Sequence, residues 1–402
     1  MTPFGRHLDL DMKALTRQAV EAALADAAMQ KEQLEAAFFG NTSQGHMEGQ
    51  HMIRGQIALR AMGIGRVPVV NIENACASGS SAFSLACSHL KSGAGDVALA
   101  VGTEKMFSTD KARMFSVFDS AWDISRAQEI RDSLMKLGRE VSVPEGSTSS
   151  KPYSVFMDVY AAFARSHMRT FGTTQRQLAA VAAKNHTHSV HNPLSQYRVA
   201  YTIDEILAAP PITYPLTLPM CSPISDGAAA AILCTGKAIK RLNLDASRAI
   251  RVLASVVQSG SDRDESDYRS HCTALAATKA YELAGVGAAD ISVAEVHDAT
   301  AMGEIIQSEN LGFCEFGMGG VIAERGETSI GGRIPINPSG GLESKGHPVG
   351  ATGLAQIHEL VTQLRGEAGK RQVESARLAL AENCGGLEGI EEAVACITIL
   401  GR

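Results

Sequence analysis

Asn71-Ile-Glu-Asn-Ala-Cys76-Ala-Ser-Gly-Ser-Ser-Ala82 follows the apolar run Val67-Pro-Val-Val70 and opens a helical pattern of Phe83, Leu85, Ala86 and Leu90. A strand that feeds a helix through such small residues brings backbone close to whatever the cysteine touches. A thiol at a helix N-terminus also feels the positive end of the aligned peptide dipoles, which predicts a lowered pKa and a nucleophilic Cys76. Taken alone the stretch is weak evidence, because an isolated cysteine among Ala and Ser is more often a small buried hydrophobe.

The surrounding 402 residues are 45% hydrophobic and 20% charged, enough for two or three domains. A net charge of -6 gives no footprint for nucleic acid or an anionic membrane. No apolar run is long enough to insert across a bilayer, and no hydrophobic signal core opens the chain, so a cytoplasmic protein is expected. The eight cysteines are scattered without a CxxC pair, which argues against zinc and against a disulfide framework.

Outward from Cys76, residues 8 to 39 read as a helix pair and 45 to 62 as one amphipathic helix. Asp96 to Gly102 reads as a buried strand, and so does Asp226 to Cys234. Between them, residues 107 to 223 break the rhythm and read as an inserted loop domain of functional type, helical over 154–186. The second half repeats the plan, with strands at 249–257 and 291–297 and helices at 275–284 and 299–310. A helix is opened by Gly346-His347-Pro348, and a last pair of strands flanks Asn383-Cys384-Gly385-Gly386. Two α/β halves follow, 1–236 and 237–402, packed as related layers.

Cys76 and His347 lie at helix starts; His297 and Cys384 follow strands. Those are the places where open α/β sheets bind ligands. Singly each has a bland reading: a core histidine, a turn thiol, an N-cap contact. His186, His188 and His191 form an HxHxxH run that a helix end explains better than a metal does. No metal is expected.

Five stretches in order resemble the thiolase superfamily, closest to the sterol-carrier-protein type. They are Asn74-Ala-Cys76-Ala-Ser-Gly79, Ser225-Asp-Gly-Ala-Ala-Ala230, Val296-His-Asp298, Gly346-His-Pro-Val-Gly-Ala-Thr-Gly353 and Asn383-Cys-Gly-Gly386. The resemblance implies the thiolase fold, two duplicated halves forming an α/β/α/β/α core. It also implies an acetyl-CoA C-acyltransferase acting on 3-ketoacyl-CoA. Cys76 would carry the acyl group, His347 would take its proton, and Cys384 would move the α-carbon proton. His297 would serve the enolate oxygen, and the amides of Cys76 and Gly386 would form an oxyanion hole worth ~3 kcal/mol per donor. Coenzyme A would be a co-substrate, with no tightly bound cofactor; Ser339 and Gly340 would let backbone approach its pantetheine arm. A homodimer or dimer of dimers is implied. The rivals are a ketosynthase-like condensing enzyme and a subunit working with a small OB-fold partner.

Three departures stand out. Met1 falls on the Thr-Pro-Phe-Gly turn, where the family has a preceding strand, so a gap is expected there. Ala299-Thr300 stands where the family places an aromatic. The last glycine motif continues Leu387-Glu388-Gly389.

Overall fold

A computed structural model describes residues 1–402. Two four-stranded sheets carry the architecture. The first has the order β2-β1-β3-β6, with β1 (Ala36–Gly40), β2 (Val69–Ile72) and β3 (Val97–Glu104) parallel and β6 (Gly227–Cys234) antiparallel to β3. The second has the order β7-β10-β9-β8. Here β10 (Val394–Gly401) runs antiparallel to β7 (Arg251–Ser259) and β9 (Leu378–Gly385), while β8 (Val293–Glu295) runs parallel to β9. A small ribbon of β4 (Pro211–Thr213) and β5 (Leu216–Thr217) lies in the segment between β3 and β6.

Strand alternation sorts the side chains into layers. On β3, Val97, Leu99 and Val101 face outward, where Met12, Val20 and Leu24 of the helix Met12–Asp26 cover them. Ala98 and Ala100 face inward. They meet two central helices, Ser78–Lys91 and Thr352–Arg365, through Ala82, Phe83, Ala86, Leu354, Ile357 and Leu360, and the same core reaches Ala379 and Ala381 of β9. On the far side, Ala276 and Ala280 of the helix Cys272–Ala284 close over Ala254, Leu380 and Ile397. The order of layers is therefore α/β/α/β/α.

The two central helices start almost in contact. A Cβ on Gly79 would stand 2.7 Å from the Gly350 carbonyl oxygen, and one on Gly102 only 2.1 Å from it. Glycine at these points lets the Cys76 and His347 loops abut.

Three sequence expectations change. The second member of the 8–39 helix pair is β1, an Ala-Ala-Phe-Phe-Gly strand buried along its whole length between β2 and β3. A short run buried on both faces has no period from which to tell a strand from a helix. The 45–62 helix is two short ones, Gln44–Glu48 and Arg54–Arg60, separated after Gly49 in the left-handed region. The helical stretch at 154–186 is likewise two helices, Val155–Phe171 and Gln175–Ser189, broken at left-handed Gly172. Residues 2–5 lie along the start of β6, with the Thr2 amide donating to the Ala228 carbonyl at 2.8 Å.

Asp226 anchors the segment that leaves β3. Its buried carboxylate accepts from the amides of His7 (3.0 Å), Met106 (2.8 Å) and Phe107 (2.8 Å), and from Lys105 Nζ (2.7 Å). Removing one partner of a buried, hydrogen-bonded ion pair strands the rest, at a cost of about 3–5 kcal/mol. Asp226→Ala is expected to lower stability by that amount, read as a lower urea midpoint at unchanged slope.

Candidate active site

The Cys76 loop is held by its own turn. Ala75 sits at φ 46 without being glycine, and the Ala77 and Ser78 amides donate back to Asn74 and Ala75. A non-glycine residue in that region costs on the order of 1–3 kcal/mol, and such residues cluster at reactive sites. The turn lifts Cys76 clear of the helix, whose first residue is Ser78. Cys76 is half-buried and lines a cavity of 1340 Å³.

His347 arrives from the other half. Its amide donates to Ser225 Oγ at 3.0 Å, and Glu104, at the end of β3, accepts from the Gly350 amide at 2.9 Å. The ring is aligned by one hydroxyl. Thr352 Oγ1 donates to the Pro348 carbonyl (3.1 Å) and stands 2.7 Å from His347 Nδ1. The Nδ1 proton therefore points at Thr352, and the bare Nε2 faces Cys76 Sγ at 3.3 Å.

His297 follows β8 and completes the cluster; its ring centroid is 5.1 Å from that of His347. Its Nδ1 accepts from the Cys384 amide at 3.2 Å, so Nε2 carries the hydrogen. Donor atoms of Cys76, His297 and His347 lie within 4.8 Å of one another. Cys384 lines the same cavity, with Sγ 2.8 Å from Glu382 Oε1, 3.3 Å from Thr273 Oγ1 and 3.6 Å from Gln307 Nε2. The Cys384-Gly385 turn presses on the Cys76 loop: a Cβ on Gly385 would be 2.2 Å from the Asn74 carbonyl oxygen and 3.1 Å from the Cys76 amide nitrogen. Neither the Cys76 nor the Gly386 amide donates a hydrogen bond within the protein.

The electrostatics correct the expectation of a resting thiolate. Burial first, then the charges of Glu104 and Glu73, push the Cys76 thiol up to about 12. Burial pushes His347 well below the ordinary imidazole value, helped by His297 and Lys345. Burial likewise lowers His297 to about 4 and raises Cys384 well above a free thiol. The helix dipole acts mainly within the first turn, and Cys76 stands outside it among carboxylates. At neutral pH the pair is a thiol hydrogen-bonded to a neutral imidazole, which is general-base rather than ion-pair chemistry. Because the thiol pKa is raised, the thiolate fraction gains tenfold per pH unit up to about 12. Iodoacetamide labelling of Cys76, followed by peptide mass spectrometry, is expected to climb from pH 6 to pH 10 without a plateau; an ion pair would give a flat profile.

Ser339 and Gly340 do not line the cavity. Ser339 is fully buried, with its hydroxyl donating to Glu295 at 2.7 Å and its carbonyl accepting from Asn192 and Ser195. Gly340 packs against Ser189. The glycines there serve packing between segments, which a glycine count does not distinguish from ligand approach. In the HxHxxH run, His186 Nε2 meets the Pro219 carbonyl and His188 Nδ1 meets the Asn337 carbonyl, so these two rings have separate backbone partners. Glu382, Thr273 and Gln307 escaped sequence reading. Only Glu382 left a signal, two residues before Cys384 on one strand and so on the same face.

With this geometry in place, comparison with known proteins is decisive. Residues 1–203 match the thiolase N-terminal domain and residues 254–402 the thiolase C-terminal domain-like family. The chain belongs to the thiolase family. It is 38% identical over 391 residues to an acetyl-CoA acetyltransferase of Methanothermobacter thermautotrophicus, covering 96% of this chain and 95% of that one. Identity to sterol carrier protein 2 of Bos taurus is 36%, over 93% of this chain and 66% of that longer protein. Among solved structures, human mitochondrial 3-ketoacyl-CoA thiolase superposes with a TM-score of 0.69 at 18% identity, covering 100% of this chain and 96% of that one. An Ltp2-ChsH2(DUF35) aldolase superposes with a TM-score of 0.76 at 21% identity, covering 100% and 95%. The thiolase fold is thereby fixed, and the chain is an acyltransferase of this family.

Proposed function

We propose that this thiolase is an acetyl-CoA C-acyltransferase that cleaves 3-ketoacyl-CoA with coenzyme A, or runs the reverse Claisen condensation. The observation that carries the reading is the 3.3 Å contact of Cys76 Sγ with His347 Nε2, in a cavity that Cys384 and His297 also line.

In cleavage, Cys76 adds to the 3-keto carbon as its proton passes to His347 Nε2. The tetrahedral oxyanion sits against the free amides of Cys76 and Gly386. Collapse breaks the bond between C2 and C3, leaving acetyl-CoA as an enolate. His297 Nε2–H donates to the enolate oxygen, and Cys384 gives its proton to the carbon. A coenzyme A thiol then attacks the acyl-Cys76 carbonyl and releases the shortened acyl-CoA, so the kinetics are ping-pong. Arg6, Arg54 and Lys111 line the cavity and supply cations for the coenzyme A phosphates. No tightly bound cofactor is required.

A homodimer is part of this reading: β2 is an unpaired sheet edge with Val70 exposed, which a second copy would cover. The rival in which an OB-fold partner directs non-thiolytic chemistry predicts an isolated chain that does not use coenzyme A. Intact-protein mass spectrometry after incubation with acetyl-CoA and with 3-ketoacyl-CoAs tests both. An acyl adduct on Cys76 that free coenzyme A removes supports the proposal; no adduct, or an adduct that coenzyme A leaves in place, rejects it.

A further inference from the structure

The cavity lining carries polar groups that the acyl-transfer steps leave unused. Glu343 lines the cavity, is fully buried, and neither of its carboxyl oxygens has a donor. The donors around it are committed elsewhere. Asp298 takes the Leu342 amide at 2.7 Å and Asn185 Nδ2 at 3.0 Å. Glu304 takes Lys184 Nζ at 2.6 Å, Asn185 Nδ2 at 3.1 Å and Asn337 Nδ2 at 2.9 Å. Burial and the nearby Asp298 and Glu304 charges push Glu343 well above the ordinary carboxylate range. A neutral carboxylic acid offers an O–H as well as a carbonyl oxygen.

The neighbours are also incomplete. His186, which also lines the cavity, uses Nε2–H on the Pro219 carbonyl at 3.0 Å, which leaves Nδ1 as a bare acceptor with no donor. Asn185 Oδ1 and Thr300 Oγ1 are buried and unpartnered. Thr300 is tied by a β-bridge to Cys221, which lines the cavity. Buried polar atoms are almost always paired, so open ones on two residues that line the cavity, Glu343 and His186, ask for a ligand group. A hydroxyl both accepts from an acid O–H and donates to an imidazole nitrogen through a single atom. A plain alkyl chain would leave all of these atoms unpaired.

We propose that Glu343, with His186, forms a polar subsite for a hydroxyl carried on the acyl group, so that the preferred substrates are hydroxylated acyl-CoA thioesters. The inference rests on the acyl-CoA reading above and deepens it.

The test uses the full chain and matched pairs of 3-ketoacyl-CoAs, with and without a hydroxyl, the hydroxyl moved one carbon at a time along the chain. The wild type is expected to favour at least one hydroxylated member by ~10-fold or more in kcat/KM, as sites built to bond a substrate hydroxyl do. Glu343→Leu is expected to erase or invert that ratio, and Glu343→Gln to keep part of it. His186→Phe reports independently if Glu343→Leu does not fold. A wild type that turns over every pair alike overturns the proposal, as does a Glu343→Leu variant that changes both members by one factor; either result marks a site for resident water only. Absence of any acyl adduct on wild-type Cys76 instead rejects the acyltransferase reading itself, so the two failures are told apart.

Discussion

Cys76→Ala is expected to lower turnover by at least about 10³-fold while leaving the chain folded. The size follows from what is lost. A covalent nucleophile divides one hard step into two easier ones, and no neighbouring group can replace it, since Cys384 is turned toward Glu382 and Thr273. The fold survives because Cys76 is half-buried on the cavity wall rather than part of a sheet-helix core. Cys87 makes the contrast: it packs among Phe38, Phe83 and Ala86. Cys87→Ala removes only a small buried group and is expected to cost modest stability with kcat preserved. Adding His347→Ala to Cys76→Ala is expected to change little more, because the pair acts as one unit. The measurement is steady-state thiolysis together with intact mass. A Cys76→Ala protein that keeps a tenth of wild-type turnover, or still gains an acyl adduct, removes Cys76 from the mechanism.

Much of this was visible in the sequence, and what was hidden has physical causes. The four reactive residues stand at strand ends and loop starts, and chain order alone points to them. Their convergence is a matter of three dimensions: Gly79 and Gly102 against the Gly350 carbonyl let the two halves touch, and no spacing rule reports that distance. A dipole argument considers one helix and so gives Cys76 the wrong character. The structure adds burial and the carboxylates of Glu104 and Glu73, brought near by other elements. Strand β1 reads as a helix in the sequence because a strand buried on both faces has lost the alternation that identifies it. Ser339 and Gly340 looked suited to a ligand, yet they belong to the buried packing around Glu295. Residues that act on Cys384 from elsewhere in the chain, Thr273 and Gln307, carry no local mark at all.

Those residues set up the second large effect. Cys384→Ala is expected to lower thiolysis and condensation by ~10²–10⁴-fold, the range for loss of a general acid–base. Acylation of Cys76 by acetyl-CoA is expected to persist within ~10-fold, since that half-reaction needs only the Cys76–His347 proton transfer. The split matters because a misfolded variant would lose both. Proton transfer at carbon requires a group that can hold a proton on entry and surrender it on return. Cys384 is held in the protonated state by burial and by Glu382, whose carboxyl oxygens accept from Sγ at 2.8 Å and from the His297 amide at 2.8 Å. Burial raises Glu382 itself to about 8, so its carboxylate charge develops only above neutral pH, in the range where the basic limb lies. Glu382→Gln removes the negative charge that develops beside the thiol above that pH and is therefore expected to lower the Cys384 pKa, moving the basic limb of the thiolysis profile to lower pH. Equal losses of acylation and cleavage in Cys384→Ala would mean that the thiol holds the site together rather than moving the α-carbon proton, since the amide that donates to His297 is kept in this variant. The α-carbon proton would then have to pass through one of the two imidazoles.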